Sequence, residues 1–225
     1  MIKTRKAVSL QIMEDNIKKQ ERNTLLMKWC EQMLSYRIPR WNELPEIELY
    51  MDQVIALMEK YLGVFYDEEN KTITPSIINN YVKLGLVPPP IKKRYSKIHL
   101  AYLLIICILK QVMPINVVMK IIECQTQKYP IEDVYDHFCE EQERSLLGAI
   151  KKASNFCSPS NNEIFVEDFI LSSAITANSE KAVAEKFTNI MNSMDSSEKK
   201  EKEKEKEKEK DKEKEKSRPK AEKAE

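Results

Sequence analysis

Glycine is scarce in this chain: three occur in 225 residues, Gly63, Gly85 and Gly148. Tight-turned β architectures need many more positions free to take positive φ, so the scarcity shifts the reading toward helices. Histidine is rarer still, with only His99 and His137. Neither stands at metal-ligand spacing from a cysteine, which argues against zinc. His99 falls in the first turn of an apolar segment and reads as structural. The five cysteines, Cys30, Cys107, Cys124, Cys139 and Cys157, form no C-x-x-C pair. With an odd count and no secretory leader they read as reduced thiols of a cytoplasmic protein. The longest apolar stretch, Leu100 to Leu109, is about half the length a membrane span requires. A phosphate-cradling glycine loop and a nucleophile elbow are also missing. Asp133, Asp136, Glu140 and Glu141 fit an exposed helix face, not a paired-carboxylate site. These absences argue against an enzyme, a metal and a cofactor.

Charge is plentiful but unevenly placed. The formal net charge is +1, from 37 Lys+Arg and 36 Asp+Glu. Residues 198 to 225 hold 13 of the cations and 11 of the acids, so the body is near neutral as well. The informative feature is local. From Lys71 to Ile122 there is no Asp or Glu, while Lys71, Lys83, Lys92, Lys93, Arg94, Lys97, Lys110 and Lys120 all occur. Such a segment makes a positive field on a neutral protein.

Periodicity divides the chain into four parts. Residues 1–36 read as a helical segment, with Leu25, Leu26, Trp29, Cys30, Met33 and Leu34 at helical spacing. Residues 37–128 read as a compact domain. Within it, Pro45 to Leu62 is expected to be a helix with Pro45 in the first turn and Gly63 at the stop. Thr74 and Pro75 open a second helix, closed by Gly85. Pro88, Pro89 and Pro90 stiffen the chain before a short cationic stretch from Ile91 to Tyr95. Ser96 caps a core helix through about Val112, and another helix follows Pro114. Residues 129–195 read as helical, in two segments from Pro130 to Phe156 and from Phe165 to Met191, with an interruption near Asn178. Residues 196–225 are nearly alternating Glu and Lys. Strict alternation puts like charges at i,i+4 and opposite charges at i,i+3, so a disordered tail is expected.

The run from Thr74 to Pro90 (TPSIINNYVKLGLVPPP), with the Lys92–Ser96 stretch after it, resembles the DNA-binding head of the mercury-resistance (MerR) regulators. Tyr81, Gly85, Leu86, Pro88, Pro89, Arg94, Tyr95 and Ser96 match that pattern in order. The segments Arg40–Val54 and Ile73–Gln111 are similar to a family of Gram-positive bacteria known as a domain of unknown function (number 1836). That likeness covers about Tyr36 to Tyr129. The resemblance implies a mainly α fold built on a winged helix-turn-helix, a transcriptional regulator that binds double-stranded DNA, and pairing of two copies through a C-terminal helix. The helix beginning near Pro130 is the expected pairing element. No motif names an effector.

The residues themselves support binding. A helix N-terminus suits a phosphate, and Ser76 adds a hydroxyl there. Asn79 and Asn80 are candidates to contact adenine, or else plain exposed polar positions. Tyr81 and Lys83 are candidates for phosphate contact, Tyr81 being equally readable as half-buried core. Lys92, Lys93, Arg94 and Lys97 cluster where a wing would meet the DNA backbone. Three features depart from the regulator pattern. The link from Gly63 to Ile73 is about 11 residues where a helix-turn-helix uses three or four. The wing is very short and has no glycine. The second helix has no early arginine. Phosphate binding is therefore better supported than base readout. The competing reading is a helical protein–protein interaction module on a winged-helix fold without DNA binding.

Overall fold

In a computed structural model, residues 2–65, 73–156 and 166–216 are described, with side chains over 17–65, 73–156 and 166–194. Among them are seven α-helices: α1 Ile2–Leu34, α2 Met51–Leu62, α3 Pro75–Lys83, α4 Lys97–Leu109, α5 Ile115–Thr126, α6 Ile131–Phe156 and α7 Val166–Lys216. Extended structure among the described residues is limited to two isolated antiparallel bridges, Leu49 with Tyr95 and Ile91 with Arg94. By contacts the chain divides into two units, residues 1–177 and 178–225.

The centre of the first unit is α4. Its sequence is apolar nearly all round, and such a helix has to be buried on every side. His99, Leu100, Ala101 and every residue from Leu103 to Ile108 are buried. Helices α2, α5 and α6 pack around it. Val54, Met58 and Leu62 come from α2, Val118 and Ile122 from α5, and Val134, Tyr135 and Cys139 from α6. The core thus runs to Cys139, past the boundary expected at residue 128. The second half of α6 turns to another partner: Ile150 packs with Cys30 and Met33 of α1.

Between α1 and α2 the chain is strapped onto α6. The Tyr135 hydroxyl donates to the Pro39 carbonyl at 2.7 Å, and the Trp41 N–H to Asp136 Oδ1 at 2.7 Å. Arg40 meets Glu143 at 2.6 Å. The Arg37 guanidinium grips Glu43 with two contacts of 2.6 Å, and that hydrogen bonding holds the Glu43 carboxyl down at about 2.

Several expectations meet their structure here. Thr74 caps α3, accepting the Ile77 N–H at 3.3 Å, and Pro75 takes the first helical position. Gly85 ends α3 at φ +74. Leu86 N–H reaches the Tyr81 carbonyl at 2.9 Å and Gly85 N–H the Val82 carbonyl at 3.0 Å, the bonding of a Schellman stop. The helix expected from Pro45 begins six residues later, at Met51. The reason is that Leu49 is drawn into the extended bridge with Tyr95, so Ile47, inside the expected helix, lies 70% exposed. Gly63 stands at the end of α2 with φ −54, a right-handed conformation that needs no glycine.

Helix α7 runs through Asn178 without the expected interruption. It continues through Lys216, so the tail expected to be disordered from Ser196 is helical over that range; residues 217–225 lie outside the described residues. Glu and Lys are both good helix formers, and their alternation sets opposite charges three apart.

Two outcomes follow. Gly85→Ala is expected to cost about 1–2 kcal/mol, since a Cβ has room there but the left-handed backbone does not suit one. Gly63→Ala is expected to add about 0.4–1 kcal/mol by restricting the unfolded chain. Urea unfolding of the two variants checks both, and equal effects would contradict the two backbone conformations. Burial pushes the Cys107 thiol up to about 12 and Cys139 to about 11 from 9.0. At pH 8 neither should react with iodoacetamide in the folded chain. A thiol raised on folding stabilises fully below its unfolded value, so stability should decline as pH climbs from about 9 through these values.

Candidate nucleic-acid interface

Helix α3 is short and amphipathic. Ile78 and Tyr81 turn into the core, and Ile77 and Val82 are half-buried beside them. Ser76, Asn79, Asn80 and Lys83 fall at i, i+3, i+4 and i+7, which is one face, and all four are exposed. The polar side of α3 is therefore open along its whole length. Its N-terminus offers fewer donors than a bare helix end. Pro75 has no N–H and Ile77 N–H is taken by Thr74, which leaves the Ser76 N–H and hydroxyl.

At the place of the expected wing stands a two-residue turn. Arg94 N–H donates to the Ile91 carbonyl at 2.9 Å, and Lys92 and Lys93 form the tip with φ +49 and +63. Left-handed conformations at both central positions define the tight hairpin turn usually made by Asn-Gly. Here lysine occupies both places, and both side chains are exposed. The short glycine-free stretch from Ile91 to Tyr95 thus closes into a turn by straining two lysines.

The base of the wing is tied to the body. Leu49 and Tyr95 exchange both backbone hydrogen bonds at 2.8 Å and are both buried. Arg94 is the next residue out. Its guanidinium lies 4.8 Å from the Tyr50 ring centre and donates to the Tyr50 hydroxyl at 2.9 Å. At the start of α4, His99 Nδ1 accepts the Ser96 N–H at 2.9 Å. His99 is buried and packs edge-on against Tyr95 at 5.4 Å, a structural placement.

The structure draws two candidates away from this surface. Tyr81 is 5% exposed and belongs to the core, with Lys110 over its ring at 5.9 Å. The reason is the nine-residue length of α3, which needs Tyr81 as well as Ile78 to anchor it. Lys97 pairs with Glu46 and lies 5.1 Å over the Trp41 ring, so its charge is answered at the base of the wing. Of the eight cations in the acid-free window, Lys120 also has an acid nearby, Glu123 at 3.8 Å, and Lys71 lies outside the described residues. Lys83, Lys92, Lys93 and Arg94 remain on the exposed face of α3 and the wing. Tyr50 and Ile91 were not among the residues singled out by sequence. Tyr50 reads as one more member of an apolar helical stripe, and its pairing with Arg94, 44 residues away, has no local signal.

Among the described residues no helix is long and apolar enough to cross a membrane, and no three His, Cys, Asp or Glu side chains converge as metal ligands would. The helical domain that carries α3 and the wing coincides with a known family segment. Residues 39–138 match the family described as Domain of unknown function (DUF1836). The match begins at Pro39, whose carbonyl receives Tyr135, and ends one residue before Cys139, the last member of the core. No curated protein and no solved structure matches the chain.

The wing turn supplies its own test. Replacing Lys92 by Asn and Lys93 by Gly should raise stability by about 1–2 kcal/mol, because Asn-Gly relieves the left-handed strain. Thermal or urea unfolding measures it, and a loss of stability would contradict the turn.

Proposed function

We propose that this protein is a DNA-binding transcriptional regulator, with residues 39–138 acting as a winged helix-turn-helix resembling that of the mercury-resistance regulators. The observation that carries the reading is the pair Lys92 and Lys93, both exposed at the wing tip and both held in left-handed backbone. Strain retained at two adjacent residues points to function, since Asn-Gly would close the same turn without the charge. On this reading the open face of α3 lies along the major groove. Ser76 and Lys83 meet phosphates, and Asn79 and Asn80 face base edges. Lys92, Lys93 and Arg94 meet the backbone beside it, with Arg94 held in place by Tyr50. A cytoplasmic, Gram-positive bacterial setting belongs to the same reading.

Pairing of two copies belongs to it too, because two half-sites on one duplex raise affinity. Helix α6, the expected pairing element, spends Val134, Tyr135, Cys139 and Ile150 within its own chain. On α7, Val183, Phe187, Ile190 and Met194 recur at spacings of four, three and four and are all exposed, which makes that stripe the better pairing face. The same stripe favours the second reading, a helical protein–protein interaction module that does not touch DNA.

Salt separates the two. Log affinity for duplex DNA should fall with log salt by about 0.9 for each phosphate met by a cation. Replacing Lys92, Lys93 and Arg94 by Ala should flatten that slope by up to about 0.9 for each phosphate no longer met. Asn79→Ala or Asn80→Ala should leave the slope unchanged and relax base preference by about 1–3 kcal/mol. The measurement is fluorescence anisotropy from low to physiological salt, on duplexes enriched by the full chain from a random pool. Binding indifferent to salt and to the wing would overturn the regulator reading.

A further inference from the structure

Side chains alternate sides along extended backbone, so the Leu49–Tyr95 bridge settles which wing residues face out. Leu49 and Tyr95 face inward and are buried. Their neighbours Tyr50 and Arg94 therefore face outward, and the contact between them agrees. Arg94 pairs across the turn with Ile91, and paired residues share a face. The outer face of the ribbon thus carries a row of Tyr50, Arg94 and Ile91, with Lys92 and Lys93 at the tip. Ile91 is 68% exposed, an aliphatic side chain set among three cations. Pro88, Pro89 and Pro90 lead into it and stiffen the approach, each ring fixing its own φ.

We propose that Ile91 is a wedge that enters the minor groove at one base step, between phosphate contacts made by Lys92, Lys93 and Arg94. This rests on the DNA-binding reading above and adds to it the residue that senses deformability. The minor groove offers both surfaces that the row needs. Phosphates line its two edges, and apolar sugar and base faces lie between them. Minor-groove proteins combine these elements, cations outside and an aliphatic or aromatic side chain between bases. The step entered is unstacked, and pyrimidine–purine steps yield at the lowest cost, so preference for such a step arises without a hydrogen bond to any base. An acidic protein surface would satisfy the lysines but would leave Ile91 without an apolar partner between charges.

The test uses the full chain and a duplex it enriches from a random pool, with 2-aminopurine placed in turn at each adenine. Wild-type protein should raise the fluorescence at one step, as unstacking does. Ile91→Ala should abolish that rise and weaken binding about ten-fold, with the salt slope unchanged. Ile91→Met, still apolar and long, should keep both. Because Ile91 is exposed, the unfolding midpoint of Ile91→Ala should match wild type, which separates a weakened interface from a damaged fold. Equal affinity and equal fluorescence for wild type and Ile91→Ala would overturn the wedge and leave the row to a protein partner. Absence of salt-dependent binding by the wild type itself would remove the DNA-binding reading and the wedge together, and that result is read before any variant is made.

Discussion

Two hydrogen bonds between Leu49 and Tyr95, each 2.8 Å, hold the base of the Ile91–Arg94 turn in place. They join the segment before α2 to the segment before α4, two places 46 residues apart in the chain. Both side chains are buried, so the bond pair is shielded from water and the register is set by burial on one face. A slip by one residue would send Arg94 inward and Tyr95 out. Everything exposed on the wing takes its orientation from that constraint: Arg94 against Tyr50, Ile91 across from Arg94, and the two lysines at the turn. The bridge also shortens α2, because Leu49 cannot be helical and extended at once.

The rest of the fold serves to keep this ribbon and α3 against a rigid body. Helix α4 supplies the mass, buried on all sides, and its N-terminus is locked to the wing through Ser96, His99 and Tyr95. Helix α6 has two roles along its length. Its first half closes the core around α4, and its second half carries α1. The strap from Arg37 to Leu44 is bonded to the first half by Tyr135 and Asp136. A helix with both halves committed in this way has little apolar face left over, whereas the stripe of Val183, Phe187, Ile190 and Met194 on α7 is exposed.

Much of the architecture was legible from local chemistry. The cap at Thr74, the stop at Gly85, the buried α4 and the breaks at Pro114 and Pro130 are written in short stretches whose physics is local: a hydroxyl at an N-cap, a residue without a Cβ at positive φ, a run with no polar face. The open face of α3 was legible for the same reason, since Ser76, Asn79, Asn80 and Lys83 repeat at the helical period. What failed to be legible was contact at a distance. Ile47 and Tyr50 look like helix stripe until Tyr95 arrives. Lys97 looks like a member of the wing until Glu46 and Trp41 claim it. Tyr81 was open to either reading, and the shortness of α3 draws it inward.

By itself, then, the sequence determined a helical protein with a short amphipathic helix, a glycine-poor turn after three prolines and a window without acids. Those are properties of periodicity and side-chain chemistry, and they hold whatever the chain packs against. The tertiary structure alone decided which cations stay on the open surface, which aromatic positions an arginine and which isoleucine stands exposed. The decisive pairings, Tyr50 with Arg94, Leu49 with Tyr95 and Glu46 with Lys97, join residues more than 40 positions apart, and burial, not local propensity, selects among such pairings.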